Sequence, residues 1–190
     1  MQKTYFSKLI AITKSLIAVL TCLCLTACGF ELRHQPPLPP SLQTLYLQSS
    51  DPYGQFESML KQTLKLAGVT LVSNPNQAPF ILNIQSKNFS TTDVSIGTSS
   101  QARVYSLTYE VTYALSNQQG KTLVGPRTVS ASGSLTLNPN QLLESNGQQD
   151  QMIMQLQRQD IQQIIAQLGS KQVAQTVGNS PSLPATPPHP

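Results

Sequence analysis

A cysteine preceded by small and apolar residues carries the clearest chemistry in this sequence. The stretch Leu25-Thr26-Ala27-Cys28-Gly29 follows an apolar run over residues 16–25, and three lysines precede that run. The pattern is typical of the processing site of a bacterial lipoprotein, in which cleavage leaves Cys28 first in the chain to carry fatty acyl chains. Each buried methylene contributes about 0.8 kcal/mol, so two or more chains give stable anchoring. An ordinary secretory signal with an incidental cysteine is the alternative.

Residues 1–27 are therefore expected to be a targeting segment that is removed. They hold three of the 12 Lys and Arg and none of the 8 Asp and Glu, so residues 28–190 keep 9 basic against 8 acidic side chains, a net charge of +1. The basic balance belongs to the targeting segment and does not predict nucleic-acid binding. Because Cys22 and Cys24 lie in that segment, only the lipidated Cys28 remains, which leaves no cysteine for a disulfide or a metal.

The rest of the chain divides by composition into three parts. Residues 28–41 hold four prolines, which favour an extended, semi-rigid tether after the lipidated cysteine. Residues 42–169 carry the apolar patterns of a single folded domain. Residues 170–190 hold five prolines and few apolar groups, which predicts a disordered tail.

Apolar periodicity within the domain predicts the order strand, helix, strand, strand, strand, helix. The strands are expected over residues 42–48, 80–87, 104–115 and 122–137. The first helix begins with Asp51 as its N-cap and ends before Gly68. Residues 90–101 are expected to form a loop or the loose end of a hairpin. Pro126 indicates a bulge or an edge strand, and Gly147 is expected to interrupt the last helical stretch, leaving a helix over 150–168.

These elements predict an α+β fold built as a two-layer sandwich. The elements follow the order β-α-β-β-β-α along the chain. The four strands form one mixed sheet, and both helices lie on one face of it. The first two strands are parallel because the helix crosses between them, and the later strands form an antiparallel meander. In the strand over 104–115 the Tyr, Leu and Val side chains share the face expected to be core, although a ligand-binding platform is the alternative. Its Ser and Thr face is expected to be wet or covered by a polar partner.

Residues suited to catalysis are sparse in this chain. The two histidines, His34 and His189, fall in the predicted tether and the predicted tail, where no rigid element would position them. Paired acids such as Asp51 with Glu57 or Asp150 with Asp160 are better explained as a helix cap and solvated helix faces. The sequence therefore predicts neither an enzyme nor a cofactor or metal site.

Several short motifs occur together in a fixed order. They are Cys28-Gly29-Phe30-Glu31-Leu32-Arg33, Leu45-Tyr46-Leu47, Asp51-Pro52-Tyr53-Gly54, Leu66-Ala67-Gly68-Val69, Gln101 four residues before Tyr105, and Asn138-Pro139. Over residues 25–168 the chain resembles the LptE family of lipopolysaccharide-assembly lipoproteins. The resemblance implies a non-enzymatic, lipid-anchored protein of the Gram-negative outer membrane. It also implies a domain that plugs the lumen of the LptD β-barrel, helps assemble that barrel, and assists the transport of lipopolysaccharide to the outer leaflet.

Binding of lipopolysaccharide would need cations for its phosphate groups. Arg103 lies where the polar loop enters the long strand, and Lys87 and Arg127 lie on the neighbouring strands, so these three are the candidate contacts. A solvated charge at a strand end is the alternative for Arg103. Charged residues make up 11% of the chain, against about 25% in an average protein. This composition either suits a surface enclosed by a partner or reflects lineage alone, and a free-standing lipoprotein that binds a periplasmic peptide or lipid is the alternative function.

Overall fold

The computed structural model describes residues 38–94, 103–137 and 142–179, with side chains omitted at 137 and 142–146. Five strands form one sheet in the order β2-β1-β3-β4-β5. The strands are β1 Thr44–Ser49, β2 Thr70–Val72, β3 Phe80–Asp93, β4 Arg103–Asn117 and β5 Thr122–Leu137. The helices are α1 Gln55–Leu66, α2 Leu142–Leu168 and α3 Lys171–Gly178.

The domain begins earlier than the composition predicted. Leu38 and Leu42 are buried in the core, and Pro40–Leu42 form a 3-10 turn that leads into β1. Residues 38–41, predicted to be tether, therefore belong to the folded domain because the apolar side chains between the prolines have a core to enter. The predicted tether over 28–37, including Cys28, lies outside the described residues.

Helix α1 starts later than predicted and ends as predicted. Its N-cap is Gly54, not Asp51, because the Asp51 side chain turns toward Lys87, 3.5 Å away, while the Asp51 carbonyl accepts from the Gly54 N–H. At the other end the Gly68 N–H donates to the Lys65 carbonyl and the next N–H donates to the Leu64 carbonyl. Gly68 has a φ of 85°, and glycine adopts this left-handed conformation without the steric cost of a Cβ.

The sheet has one strand more than predicted. Strands β1 and β3 are parallel, which confirms the predicted crossover, but the short extended segment after Gly68 also pairs with β1 as the additional strand β2. The class predicted from the sequence, an α+β fold with a mixed sheet, is confirmed. The strand count of four was wrong because β2 is only three residues long and has no periodic pattern of its own.

The antiparallel meander over β3, β4 and β5 is confirmed; β5 has its predicted bounds, and β3 and β4 are longer than predicted. Strand β3 continues to Asp93, through residues 90–93 of the predicted loop, because β4 pairs with it along its whole length. Residues 95–102 lie outside the described part of the chain. The hairpin turn over 117–120 is confirmed, with the Gly120 N–H donating to the Asn117 carbonyl. Pro126 lies on the edge strand β5 near two shifts of register, which confirms both predictions for it.

The helical segment after the sheet is continuous where a break was predicted. Helix α2 runs from Leu142 to Leu168 through Gly147, because an isolated glycine weakens a long helix without ending it. The predicted tail was also wrong over its first residues. Ser170 caps helix α3 by accepting from the Val173 N–H, and Val173 and Val177 are buried. The rest of the predicted tail, 180–190, lies outside the described residues, as do residues 138–141.

The helices cover one face of the sheet. Tyr109 and Tyr113, on the same face of β4, each contact a different helix. The Phe56 ring of α1 stacks on Tyr109 with ring centroids 6.0 Å apart, and the Tyr113 hydroxyl donates to Gln167 Oε1 of α2 at 2.7 Å. The predicted core face of this strand is therefore confirmed, and the other face carries its Ser and Thr side chains.

Candidate functional site

The three cations predicted to contact lipopolysaccharide share the helix-covered face of the sheet but form no single cluster. Along β4, Arg103 lies eight positions from Val111, the register partner of Lys87, and Arg127 pairs with Tyr113. At about 3.4 Å per residue, Arg103 is about 27 Å from the level of Lys87. Arg103 is therefore separate from Lys87 along the sheet.

Lys87 faces the helices because of a β-bulge. The alternation from Phe80 placed Lys87 opposite the core residues, but the register shifts between Ile84 and Ser86, so Lys87 pairs with Val111 on the core side. Simple alternation along β3 therefore gives the wrong orientation for Lys87. Instead of reaching solvent, Lys87 Nζ donates to Glu57 Oε1 at 2.6 Å and lies 3.5 Å from Asp51.

Electrostatics hold Lys87 in this pair. Burial lowers the pKa of Lys87, but the hydrogen bond and the charge of Glu57, with smaller contributions from Tyr109 and Asp51, outweigh burial and leave the pKa above its ordinary value. The Ser49 hydroxyl also donates to Glu57 Oε1 at 2.6 Å. Gly54 makes room for the cluster, since a Cβ there would meet carboxylate oxygens of Asp51 and Glu57. Lys87 is thus a structural partner of two carboxylates.

Arg103 remains the most accessible of the three candidates. Its side chain is 65% exposed, and the guanidinium lies 3.8 Å from Asp93, across the hairpin formed by β3 and β4. An ion pair of this length between exposed groups contributes little to stability and is readily exchanged for another anion. A phosphate can therefore compete with Asp93 for Arg103.

Arg127 is positioned by the small third helix. Its Nη2 donates to Gln172 Oε1 of α3 at 3.2 Å. Burial raises the pKa of the neighbouring Tyr113 hydroxyl, and the Arg127 guanidinium opposes that increase only in part. This contact ties β5 to a helix that the sequence did not predict.

Three polar side chains on the helices are buried, so the prediction that Glu57 and Asp160 belong to a helix cap or a solvated helix face was wrong. Glu57 and Asp160 are completely buried and Gln157 nearly so. In the described structure, four of their oxygens have no hydrogen-bond partner: Glu57 Oε2, Gln157 Oε1, Asp160 Oδ1 and Asp160 Oδ2. The signal was present in the sequence, since Asp160 lies four residues from both Leu156 and Ile164, within the apolar stripe of α2.

The face of the sheet away from the helices is lined by hydroxyl groups, and we call it the hydroxyl face. Its members on β3, β4 and β5 include Asn88, Ser90, Thr92, Ser106, Thr108, Glu110, Thr112, Thr128, Ser130, Ser132, Ser134 and Thr136. Cross-strand pairs link Thr108 to Ser132 at 3.0 Å and Thr112 to Thr128 at 2.9 Å. Within this set Glu110 is the one charged residue. The surface is broad, hydrogen-bonding and almost neutral.

Metal-ligand clusters and membrane-spanning helices are both absent from the described residues. No group of three or more His, Cys, Asp or Glu side chains there is arranged to hold a metal ion. Nor does the described part of the chain contain a helix of the length and apolarity needed to cross a membrane.

Comparison with solved structures defines the class of fold. The chain resembles the uncharacterized lipoprotein B of Nitrosomonas europaea, with a TM-score of 0.64 and 19% identity, over 80% of this chain and 97% of that one. It also resembles the rare lipoprotein B of Shewanella oneidensis, with a TM-score of 0.59 and 19% identity, over 68% and 96% of the two chains. At this level of identity the likeness establishes the α+β fold that these lipoproteins share.

Sequence comparison gives the family. The family model LptE, described as lipopolysaccharide-assembly, matches residues 42–168, so the chain belongs to the LptE family of lipopolysaccharide-assembly lipoproteins. The LPS-assembly lipoprotein LptE of Pectobacterium atrosepticum is 27% identical over 168 residues, 87% of this chain and 89% of that protein. The protein of the same name from Yersinia enterocolitica is 45% identical over 60 residues, which span 32% of this chain and only 29% of that protein. The family predicted from the short motifs is confirmed.

Proposed function

We propose that this protein is the non-enzymatic plug subunit of an outer-membrane lipopolysaccharide translocon. Acyl chains on Cys28 anchor it to the outer membrane, and its domain occupies the lumen of the LptD β-barrel. There it assists assembly of the barrel and delivery of lipopolysaccharide to the outer leaflet. The hydroxyl face is the observation that carries the proposal.

A barrel lumen wide enough to hold a folded domain is lined by polar side chains. A surface of hydroxyl groups can form many short hydrogen bonds with such a wall without the desolvation cost of burying charges. Ser and Thr side chains on three neighbouring strands, exposed on β3 and β5 and partly exposed on β4, supply this surface over a large part of the sheet. Shape and hydrogen bonding, more than apolar contact, would then hold the domain in the lumen.

Arg103 is the residue proposed to contact lipopolysaccharide. It is exposed at the end of the β3–β4 hairpin, and its present partner is a carboxylate that a lipid phosphate could replace. Lys87 is already engaged with Glu57, and Arg127 with Gln172, which makes them secondary candidates. One accessible cation among the three candidates suits a transient contact during transport more than tight storage of the lipid.

Depletion of the chain in its own bacterium tests the assembly role. Loss of the protein is expected to lower the amount of folded barrel, measured by its heat-modifiable migration, and the amount of newly made lipopolysaccharide at the cell surface. Wild-type protein should restore both, and Cys28→Ala, which removes the acylation site, should restore them poorly and fractionate away from membranes. Normal barrel folding and normal surface lipopolysaccharide after depletion would contradict the proposal and favour a free-standing binding lipoprotein.

A further inference from the structure

The outer edge of β5 carries backbone groups that the sheet leaves available. β5 is the last strand in the sheet, and no strand in the described part of the chain pairs with its outer side. It spans 16 residues, from Thr122 to Leu137, so the edge is unusually long.

The hydrogen bonds of β4 identify the β5 residues whose backbone N–H and C=O groups point away from the sheet. The Val94 N–H donates to the Val104 carbonyl at 2.9 Å, so the backbone of Val104 points toward β3. Because the backbone alternates in direction, the next residue, Tyr105, points toward β5 and bonds with its register partner Leu135. The outward-pointing residues of β5 are therefore Thr128, Ser130, Ser132, Ser134 and Thr136.

A side-chain contact supports the same assignment of outward-pointing residues. Gln163 of α2 reaches over the edge, and its Nε2 donates to the Ser130 carbonyl at 3.0 Å. A side chain of the domain thus already uses one of the outward carbonyls. The edge accepts hydrogen bonds from a donor that approaches from outside the sheet.

Over residues 128–136 this edge also lacks the charges, prolines and bulges that normally prevent strand pairing, and the one contact on it is the Gln163 amide at the Ser130 carbonyl. Natural edges are protected by short strands, charged side chains, prolines or bulges. Between Thr128 and Thr136 the sequence TVSASGSLT has no charge and no proline, and the register with β4 is unbroken. The proline and the bulges of β5 all precede this segment.

We propose that residues 128–136 form a docking site for an extended, uncharged segment of the barrel partner, added to the sheet as a sixth strand. This inference rests on the proposed function. Strands in a closed barrel wall have both edges paired, so the added segment would come from a loop or terminus that enters the lumen. An uncharged occupant fits because the adjoining hydroxyl face carries only the charge of Glu110. The chain's own residues 181–190 fit poorly, because five of them are prolines without an N–H.

Hydrogen–deuterium exchange on the lipoprotein, alone and co-purified with its co-expressed LptD barrel, tests the site. In the free protein the amides of Ser132, Ser134 and Thr136 should exchange rapidly, and in the complex the peptide over 128–136 should become protected. A stable complex in which this peptide exchanges as fast as in the free protein would overturn the docking site while leaving the plug in place. Failure of any complex to form would overturn both proposals.

Two substitutions of Ser134 distinguish the contribution of its backbone N–H to binding from that of its side chain. Ser134→Pro removes an outward N–H, and the preceding Gly133 has no Cβ to clash with the proline ring. It should lower the affinity for the barrel by about tenfold, whereas Ser134→Ala should leave it unchanged. Equal binding by both variants, each shown to be folded by circular dichroism, would contradict the inference. Dimerisation of the free wild-type chain that Ser134→Pro abolishes would show a second copy as the occupant and would also overturn it.

Discussion

Lys87 Nζ lies 2.6 Å from Glu57 Oε1, and the Glu57 side chain is completely buried. The pair joins β3 to α1, and its two residues are 30 positions apart in the sequence. Removing one partner of a buried pair leaves an uncompensated charge, which costs more than the pair itself contributes. Lys87, a candidate ligand contact, is thereby explained as a residue that stabilises the domain.

Lys87→Met is expected to lower the free energy of unfolding by about 3 kcal/mol, measured by urea denaturation. Adding Glu57→Gln should recover part of this loss because the unpaired charge is removed. Arg103→Met is the matched control. Loss of the exposed ion pair with Asp93 should lower the free energy of unfolding by less than about 1 kcal/mol. Equal losses for Lys87→Met and Arg103→Met would show that the buried pair has no special role.

Asp160 makes stability depend on pH. Burial, aided by the charge of Glu110 on β4, raises the pKa of Asp160 to about 7. The unfolded carboxyl has a pKa of about 3.9, so between about pH 4 and 7 the folded state binds more protons than the unfolded state. The free energy of unfolding should therefore fall as pH rises through this window and level off above it. Glu57, Lys87 and Tyr109 face the same interior from neighbouring elements.

Asp160→Asn is expected to remove most of this slope. At about pH 8 the variant should be more stable than the wild type, by at most about 4 kcal/mol, and near about pH 4 the two should be similar. Urea titrations across this pH range measure the difference. Parallel pH profiles for the two proteins would mean that Asp160 finds a compensating partner in solution.

Two glycines should respond to alanine in opposite directions. Gly147 lies inside α2, and a Cβ added there would have no atom within 4 Å, so Gly147→Ala should stabilise the protein by about 0.5–1 kcal/mol. Gly68 is equally open but has a φ of 85°, so Gly68→Ala should destabilise the protein by about 1 kcal/mol. Thermal melting of the two variants measures both changes in stability. A loss of stability for Gly147→Ala would indicate that α2 needs a break at this point.

Charge reversal at Arg103 tests the proposed lipid contact. Arg103→Glu should weaken binding of purified lipopolysaccharide by about tenfold, because a charged hydrogen bond to phosphate becomes a repulsion. Arg158→Glu, on the exposed side of α2, makes the same change of net charge and should have little effect. Similar weakening by both variants would point to a general electrostatic attraction instead of a site.

Local patterns in the sequence predicted much of the fold. Residues 105–113 alternate strictly between apolar and polar side chains, so the buried face of β4 was predicted correctly, and the hairpin turn over 117–120 was also predicted. The orientation of Lys87 could not be predicted, because a bulge after Ile84 reverses the alternation and depends on pairing with β4. The helix after Ser170 was missed because only two apolar residues on a short segment pack against the core, and their packing depends on distant elements.

The candidate site was less predictable than the fold. Arg103 was placed correctly at a strand entry, since strand ends follow from local patterns. The hydroxyl groups of β4 were predicted to face water or a polar partner, but their continuation across three strands depends on the register. Pro126 indicated that β5 is an edge strand or has a bulge, but the length of its free edge depends on strand order, which local patterns do not determine.

Purification of the tagged protein from outer membranes in mild detergent tests the central claim most directly. A tag placed after Pro190 leaves the lipidated end of the chain unaltered. The proposal predicts that one large β-barrel protein, identified as LptD by mass spectrometry, co-elutes in equal amount. Elution of the lipoprotein alone in several detergents would contradict the plug function.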